Sequence, residues 1–363
     1  MNSDISRAPL TRQQFTAIQW LTSWHPAGKG SVQSYFNIPG RIGWFIMEIT
    51  GPINLVYILY NLPAKLNIQT LPLPNKLVAS LYLIHYANRA IISPFFAAPS
   101  MSPMHVFIVV SAVFFNWFNS SCLACWLVGY NVSTIPGVYP NPSSPSLITT
   151  PEKIFEENLA GKVGTSLLLP SLGLLLFIVG MAGNIYAERT LFSLRRNEAD
   201  KKHSQSQSQS KEQTSGNGNK YSKVYVIPPK SGLFTSILYP HYALEWLEWT
   251  GFALAGLAVF PALSPPSLLP DVLSPSTSPL ALGLGAPGGS SPPLRLAPWL
   301  VPAVWAAGKL RVPVLPLPAI VFVVNAVANM LPHARWGRKW YVGKFGVEKV
   351  GERGAVVPFC SWM

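Results

Sequence analysis

Glu48, His85, Arg89, Asn116, Asn184, Glu188, Glu245 and Glu248 all fall in or at the ends of apolar stretches long enough to cross a bilayer. Carboxylates, an imidazole, a guanidinium and amides are the groups that hold a polar ligand and move protons. A charge at mid-membrane depth costs between about 2.5 and more than 10 kcal/mol, depending on the reference state. Such residues therefore persist where they face one another, a cofactor or a water-filled cavity. A helix that only anchors the chain has no need of them. The expectation is an integral membrane protein with a reactive interior.

The elements that must position these groups follow from composition. Of 363 residues, 49% are hydrophobic and only 11% charged, where a soluble domain carries roughly 25% charged residues. By the criterion of roughly 20 apolar residues per span, six candidates stand out: 43–63, 77–97, 104–130, 164–187, 238–262 and 313–331. The predicted fold is all-α, a polytopic membrane helical bundle of six to seven transmembrane helices. Residues 1–37 form an interfacial or truncated first-helix region, in which the stretch from Leu10 to Trp24 is too polar and short to span. Helices with the substrate site and part of the cofactor site then fill 38–198, and a low-complexity cytosolic insertion fills 199–222. A helical region at 223–262, a Pro/Ser/Gly-rich insertion at 263–312, and a last helix with a basic tail at 313–363 complete the chain.

The formal net charge of +13 does not indicate nucleic acid. Lys and Arg flank the apolar runs instead of forming a basic surface interleaved with aromatics. Short cytoplasmic loops carry the Lys and Arg excess, which places the 189–230 link, with Arg195, Arg196, Lys201 and Lys202, in the cytosol. The 131–162 link, with Glu152, Glu156 and Glu157, falls on the other side, and the tail with Arg335, Arg338, Lys339 and Lys344 returns to the cytosol. Asn184, Glu188 and Arg195 then share one helix face, and Glu245 and Glu248 another, below His241. All converge on one cytosol-facing cavity.

Several patterns carry no chemistry. Cys122 and Cys125 form a CxxC inside an apolar run, with no second pair or nearby His to complete a metal site. Gly283, Gly285 and Gly288 match the dinucleotide fingerprint in form only, because no strand precedes them and Pro287 interrupts them. His105 and His333 read as interfacial, and Asn131-Val-Ser133 is a formal glycosylation sequon. No cleaved signal peptide is expected.

Three strings, Gly40-Arg41-Ile-Gly-Trp44-Phe-Ile-Met-Glu48, His85-Tyr86-Ala-Asn-Arg89 and Gly180-Met-Ala-Gly-Asn184-Ile-Tyr-Ala-Glu188, resemble the steroid 5α-reductase family in order and spacing. His241-Tyr-Ala-Leu-Glu245-Trp-Leu-Glu248-Trp249 and Trp340-Tyr341-Val-Gly-Lys-Phe345, with Pro358-Phe359 near the end, resemble its C-terminal domain. The resemblance covers most of residues 38–254 and 319–360. It departs at Gly337, where relatives commonly place a His, and in a reduced first helix.

What the resemblance implies is an NADPH-dependent reductase of an enone C=C bond in the endoplasmic reticulum membrane. Its partners would be a hydrophobic enone, a steroid or related lipid, and membrane lipid. Very-long-chain 2-enoyl-CoA or polyprenal reduction is the alternative, and a lipid-binding or transport protein the non-enzymatic one. Tyr86 would polarise the substrate carbonyl, with Glu48 donating a second hydrogen bond if burial keeps it protonated. Arg89, Asn116, Asn184, Glu188, Arg195, His241, Glu245, Arg335 and Tyr341 would bind the cofactor, with Arg89, Arg195 and Arg335 as the candidates for its phosphates. Oligomeric state is left open.

Overall fold

The computed structural model describes residues 34–65, 70–128, 167–209, 220–221, 224–259 and 316–360. The Leu10–Trp24 stretch, the 131–162 link with its sequon and the 263–312 insertion lie outside the described residues.

Seven α-helices are described: α1 (Gly40–Lys65), α2 (Leu73–Tyr86), α3 (Val106–Val128), α4 (Leu168–Gln209), α5 (Pro240–Ala255), α6 (Leu317–Phe345) and the short α7 (Val347–Val350). A proline stands in the first turn of α2, α5 and α6, where its missing N–H has no helical partner to lose. Among the described residues, four helical stretches are long and apolar enough to cross a membrane: Gly40–Ala64, Val106–Val128, Leu168–Gln205 and Leu317–Phe345. Between α1 and α3 runs α2, which continues without a break into a π-helical segment, Ala87–Ala97. Two short strands, β1 (Asn37–Ile38) and β2 (Met104–His105), pair antiparallel and tie the start of α1 to the start of α3.

Large apolar side chains such as Phe107, Phe118, Leu175 and Val324 point outward, as lipid contact demands and water would penalise. Inside, Leu55, Tyr82, Leu123, Phe177, Trp249 and Phe322 join all six long helices in one core cluster. The tightest approach is between α4 and α5. A Cβ on Gly180 would fall within contact of the Glu248 backbone and Leu244 O, so a small residue lets the two backbones meet. That approach brings the Asn184 and Glu188 face of α4 to the Glu245 face of α5.

Three expectations change. The helix that begins at Leu168 does not end at 187 but runs to Gln209, so beyond Arg195, which shares its face with Asn184 and Glu188, Arg196, Lys201 and Lys202 are helical too and the low-complexity region begins inside α4. Helix-forming residues and local pairs explain this: Glu198 and Lys202 lie 3.7 Å apart at i,i+4. Likewise α6 passes through Pro332 to Phe345, so Arg335, Arg338, Lys339 and Lys344 are helical and do not belong to a tail after Leu331. Finally, the second span is part α-helix and part π-helix, with Pro94 inside the π segment.

Proline removes a donor from the ladder, and in hydrocarbon every freed carbonyl needs an internal partner. The carbonyl that Pro94 leaves without a donor, Arg89 O five residues back, is met by Trp44 Nε1 at 3.0 Å, and carbonyls at the open C-terminal end of the segment are met by Arg41 of α1. Its Nη1 donates to Pro94 O and Phe95 O, and its Nη2 donates to Ala98 O at 2.8 Å and Pro99 O at 3.3 Å. Arg196 of α4 donates to Ala97 O. The end of the π segment is thus clamped by two guanidinium groups from neighbouring helices.

Candidate functional site

The π segment carries Arg89, and three other helices send carboxylates to it. Arg89 Nε lies 3.6 Å from Glu48 Oε1 of α1. Its Nη1 lies 3.5 Å from Glu188 Oε1 of α4 and 3.5 Å from Glu245 Oε2 of α5. The guanidinium also sits over the Trp44 ring, 4.8 Å from its centroid, and Trp44 Nε1 donates to Arg89 O at 3.0 Å. Trp44 precedes Glu48 by four residues, one turn of α1, so ring and carboxylate reach Arg89 from one face.

One cation facing three carboxylates leaves an excess of acceptor lone pairs. A guanidinium offers five N–H donors and each carboxylate accepts about four. Such a cluster favours a ligand that donates hydrogen bonds, such as hydroxyls or an amide NH₂. It disfavours a phosphate. Asn184 extends the same surface: its Nδ2 donates to Glu245 Oε2 at 3.4 Å, while its buried Oδ1 has no hydrogen-bond partner among the described residues.

Tyr86, 4% exposed, lies three residues before Arg89 and turns to α3. Its hydroxyl donates to Asn116 Oδ1 at 3.5 Å, and Asn116 Nδ2 donates to Met47 O at 2.6 Å. Both ends of the Asn116 amide are thus engaged by protein, one of them by the Tyr86 hydroxyl. Below Tyr86, His85 Nδ1 lies 2.7 Å from Glu248 Oε1, and the imidazole packs on Trp249 with centroids 4.4 Å apart.

The remaining predicted residues are placed apart from Arg89's own contacts. Arg195 Nη2 donates to Ser100 Oγ at 2.7 Å and its Nε to Val224 O at 3.3 Å. His241 and Tyr341 are both buried and gather around Tyr239, with ring centroids 5.6 and 6.2 Å from it. Arg335 is half-buried on α6, two residues before Gly337. At Gly337 a Cβ would strike the Tyr239 hydroxyl, so the tyrosine fills the space a side chain there would need.

The C-terminal segment underpins this region. Leu238 N donates to Gly354 O and Tyr239 N to Ala355 O, both at 3.0 Å. Arg353, 3% exposed, donates to Pro228 O at 2.8 Å and Phe234 O at 3.4 Å. Arg338 donates to Arg353 O at 2.7 Å, which ties α6 to the same segment and leaves its Nε committed to protein.

Sequence reasoning named the charged members of the site and missed three partners. Trp44 and Ser93 were readable from spacing, each four residues from a named site residue. Ser100 was not, because nothing local marks the loop after Ala97.

No protein-family model matches the chain. Rat 3-oxo-5-alpha-steroid 4-dehydrogenase 1 is 25% identical over 231 residues, covering 63% of this chain and 68% of the rat protein. Tomato steroid 5-alpha-reductase DET2 is 24% identical over 348 residues, 95% of this chain and 90% of the tomato protein. The uncharacterized protein C9.08c of Schizosaccharomyces pombe is 31% identical over 244 residues, 63% of this chain and 73% of the yeast protein. The chain belongs to one family with that fission-yeast protein. It is also a distant homologue of the steroid 5-alpha-reductases, as the ordered strings around Glu48, Tyr86, Asn184 and Glu245 led one to expect. In this chain the Arg89 cluster is built from two of the four apolar helices of membrane-spanning length, α1 and α4, together with the π segment and α5.

Proposed function

We propose that the chain is a membrane-embedded, NADPH-dependent reductase of a C=C bond conjugated to a carbonyl. A 3-oxo-Δ4-steroid or a related terpenoid enone is its substrate, and the endoplasmic reticulum its membrane. One observation carries this reading: Arg89 gathers Glu48, Glu188 and Glu245 from three helices, three residues along the chain from the buried Tyr86. Homology to steroid 5-alpha-reductases supports it.

The donor set fits the cofactor. Glu188, Glu245 and the partnerless Asn184 Oδ1 would accept from the ribose hydroxyls and the carboxamide. Arg195 and Arg335 would meet its phosphates, with His241 and Tyr341 among the further contacts. When bound, NADPH supplies a hydride for the β-carbon of the enone.

Negative charge then grows on the substrate carbonyl oxygen, and a donor aimed there stabilises the transition state more than the ground state. Tyr86 is that donor. Its bond to Asn116 is long at 3.5 Å, so the hydroxyl is held in direction yet able to turn to a better acceptor. Glu48 lies within reach of Arg89 rather than free, which fixes its carboxyl beside the same ring of residues. The α-carbon then takes a proton from water or from a side chain.

The deciding experiment is binding before turnover. Protein purified in detergent should be stabilised by NADPH, by roughly 2.7 kcal/mol at a hundredfold excess over Kd, and far less by NADH. Microsomes given a panel of steroid, enoyl-CoA and polyprenal substrates should then yield a steroid product heavier by two hydrogens. No response to any nucleotide overturns the enzymatic reading. Reduction of enoyl-CoA or polyprenal alone keeps the reaction and replaces the substrate.

A further inference from the structure

Glu188 is held from two sides by one short stretch of chain. Arg89 Nη1 lies 3.5 Å from its Oε1, and Ser93 Oγ donates to its Oε2 at 3.2 Å. Ser93 is 8% exposed and sits four residues after Arg89 in the π segment, so both donors reach the same carboxylate. The Glu188 side chain itself remains 19% exposed. Its pairing with Arg89 at 3.5 Å is a loose contact for a charge-assisted bond, and nothing in that contact alone prevents the carboxylate from swinging toward its open side.

Resting on the reading of this cluster as the cofactor's donor-binding end, we propose that Ser93 is a positioning residue that holds the Glu188 carboxylate in place. With Ser93 engaged, Oε2 is occupied and Oε1 faces Arg89 Nη1, the nitrogen that Glu245 also approaches. The two carboxylates then stand side by side, as a pair of neighbouring hydroxyls would require. Pro94 and the Arg41 clamp behind it fix the backbone that carries Ser93, so its hydroxyl is delivered by a rigid element. Rigid support is what gives a binding residue its geometry. Ser93 touches no substrate in this account; it acts through Glu188.

The test is a double-mutant cycle on NADPH affinity in the full-length protein in detergent. Ser93→Ala should weaken NADPH binding about tenfold, the order expected for losing one hydrogen bond to a charged group. Apo melting temperature should fall only modestly, and kcat at saturating NADPH should fall by less than affinity does, a split that a purely structural loss would not give. Ser93→Thr keeps the hydroxyl and should restore most of the affinity. In a Glu188→Ala background the Ser93→Ala effect should vanish, because the group it positions is gone. An undiminished effect in that background overturns the assignment, as does equal loss in Ser93→Ala and Ser93→Thr or unchanged affinity in Ser93→Ala. A wild-type protein that binds no NADPH overturns the cofactor reading and the role of Ser93 with it.

Discussion

Glu248 Oε1 lies 2.7 Å from His85 Nδ1, with Glu248 fully buried and its second oxygen, Oε2, without a hydrogen-bond partner among the described residues. The pair joins α2 to α5 behind Tyr86. Nδ1–H donates to the carboxylate, which fixes the imidazole tautomer and plane. Trp249 then covers the ring, so the pair is sealed from lipid and solvent alike.

Breaking such a pair from one side leaves an uncompensated polar group, at a cost of about 3–5 kcal/mol. Glu248→Ala should therefore lower the melting temperature in detergent by roughly 5 °C or more, and His85→Ala by a similar amount. The double variant should lose less than the sum. Strict additivity in that thermal series would mean that the two side chains act independently.

Arg89 faces three carboxylates at once, none closer than 3.5 Å. Lys carries one compact charge and lacks the planar fork that reaches Glu48 on one edge and Glu188 and Glu245 on another. It also loses the stacking on Trp44. Arg89→Lys should fold but bind NADPH at least tenfold more weakly, read by titration of intrinsic fluorescence. Arg89→Ala should express poorly, since three facing carboxylates would be left with no cation. Wild-type affinity in Arg89→Lys would show that charge alone suffices there.

The parts of the site legible in the sequence were those that hydrocarbon penalises. Glu48, Arg89, Glu188 and Glu245 announced themselves because a charge in an apolar run needs a partner, and the structure brings all four together. Helix ends were less legible. The stretch past Arg195 reads as a loop by polarity, yet Glu198 and Lys202 pair at i,i+4 along the continuing helix, and polarity alone does not distinguish a polar helix from a link. The π segment was illegible because its backbone is completed by Arg41, a residue about fifty positions away. Tertiary partners of that kind leave no local pattern.

Gly337 and Tyr239 should behave as a coupled pair. A Cβ at 337 meets the Tyr239 hydroxyl, so Gly337→Ala forces the ring aside and should cost about 1–3 kcal/mol, despite alanine's better helix propensity. Tyr239→Phe removes the clashing oxygen. The ring Cζ still lies 2.6 Å from that Cβ position, so in that background Gly337→Ala should remain destabilising, but by less than in the wild type. Thermal melts of the four proteins read the coupling directly. Equal destabilisation in both backgrounds would place the strain elsewhere.

Tyr86 and Asn116 should give distinct kinetic signatures when changed. Tyr86→Phe removes the one hydroxyl proposed to polarise the substrate carbonyl, so kcat should fall by about a hundredfold or more, in line with loss of an oxyanion donor, while NADPH affinity stays close to wild type. Asn116→Leu leaves the hydroxyl present but without its acceptor, and frees Met47 O at the same time. Its kcat should fall by a smaller factor, with KM for the enone little changed, because what is lost is direction and not the donor. Asn116→Asp keeps the acceptor for Tyr86 but gives up the Nδ2 donor to Met47 O, and should lie between the two. If Tyr86→Phe instead weakens NADPH and spares turnover, the hydroxyl serves the cofactor and the carbonyl must find its donor elsewhere in the cluster.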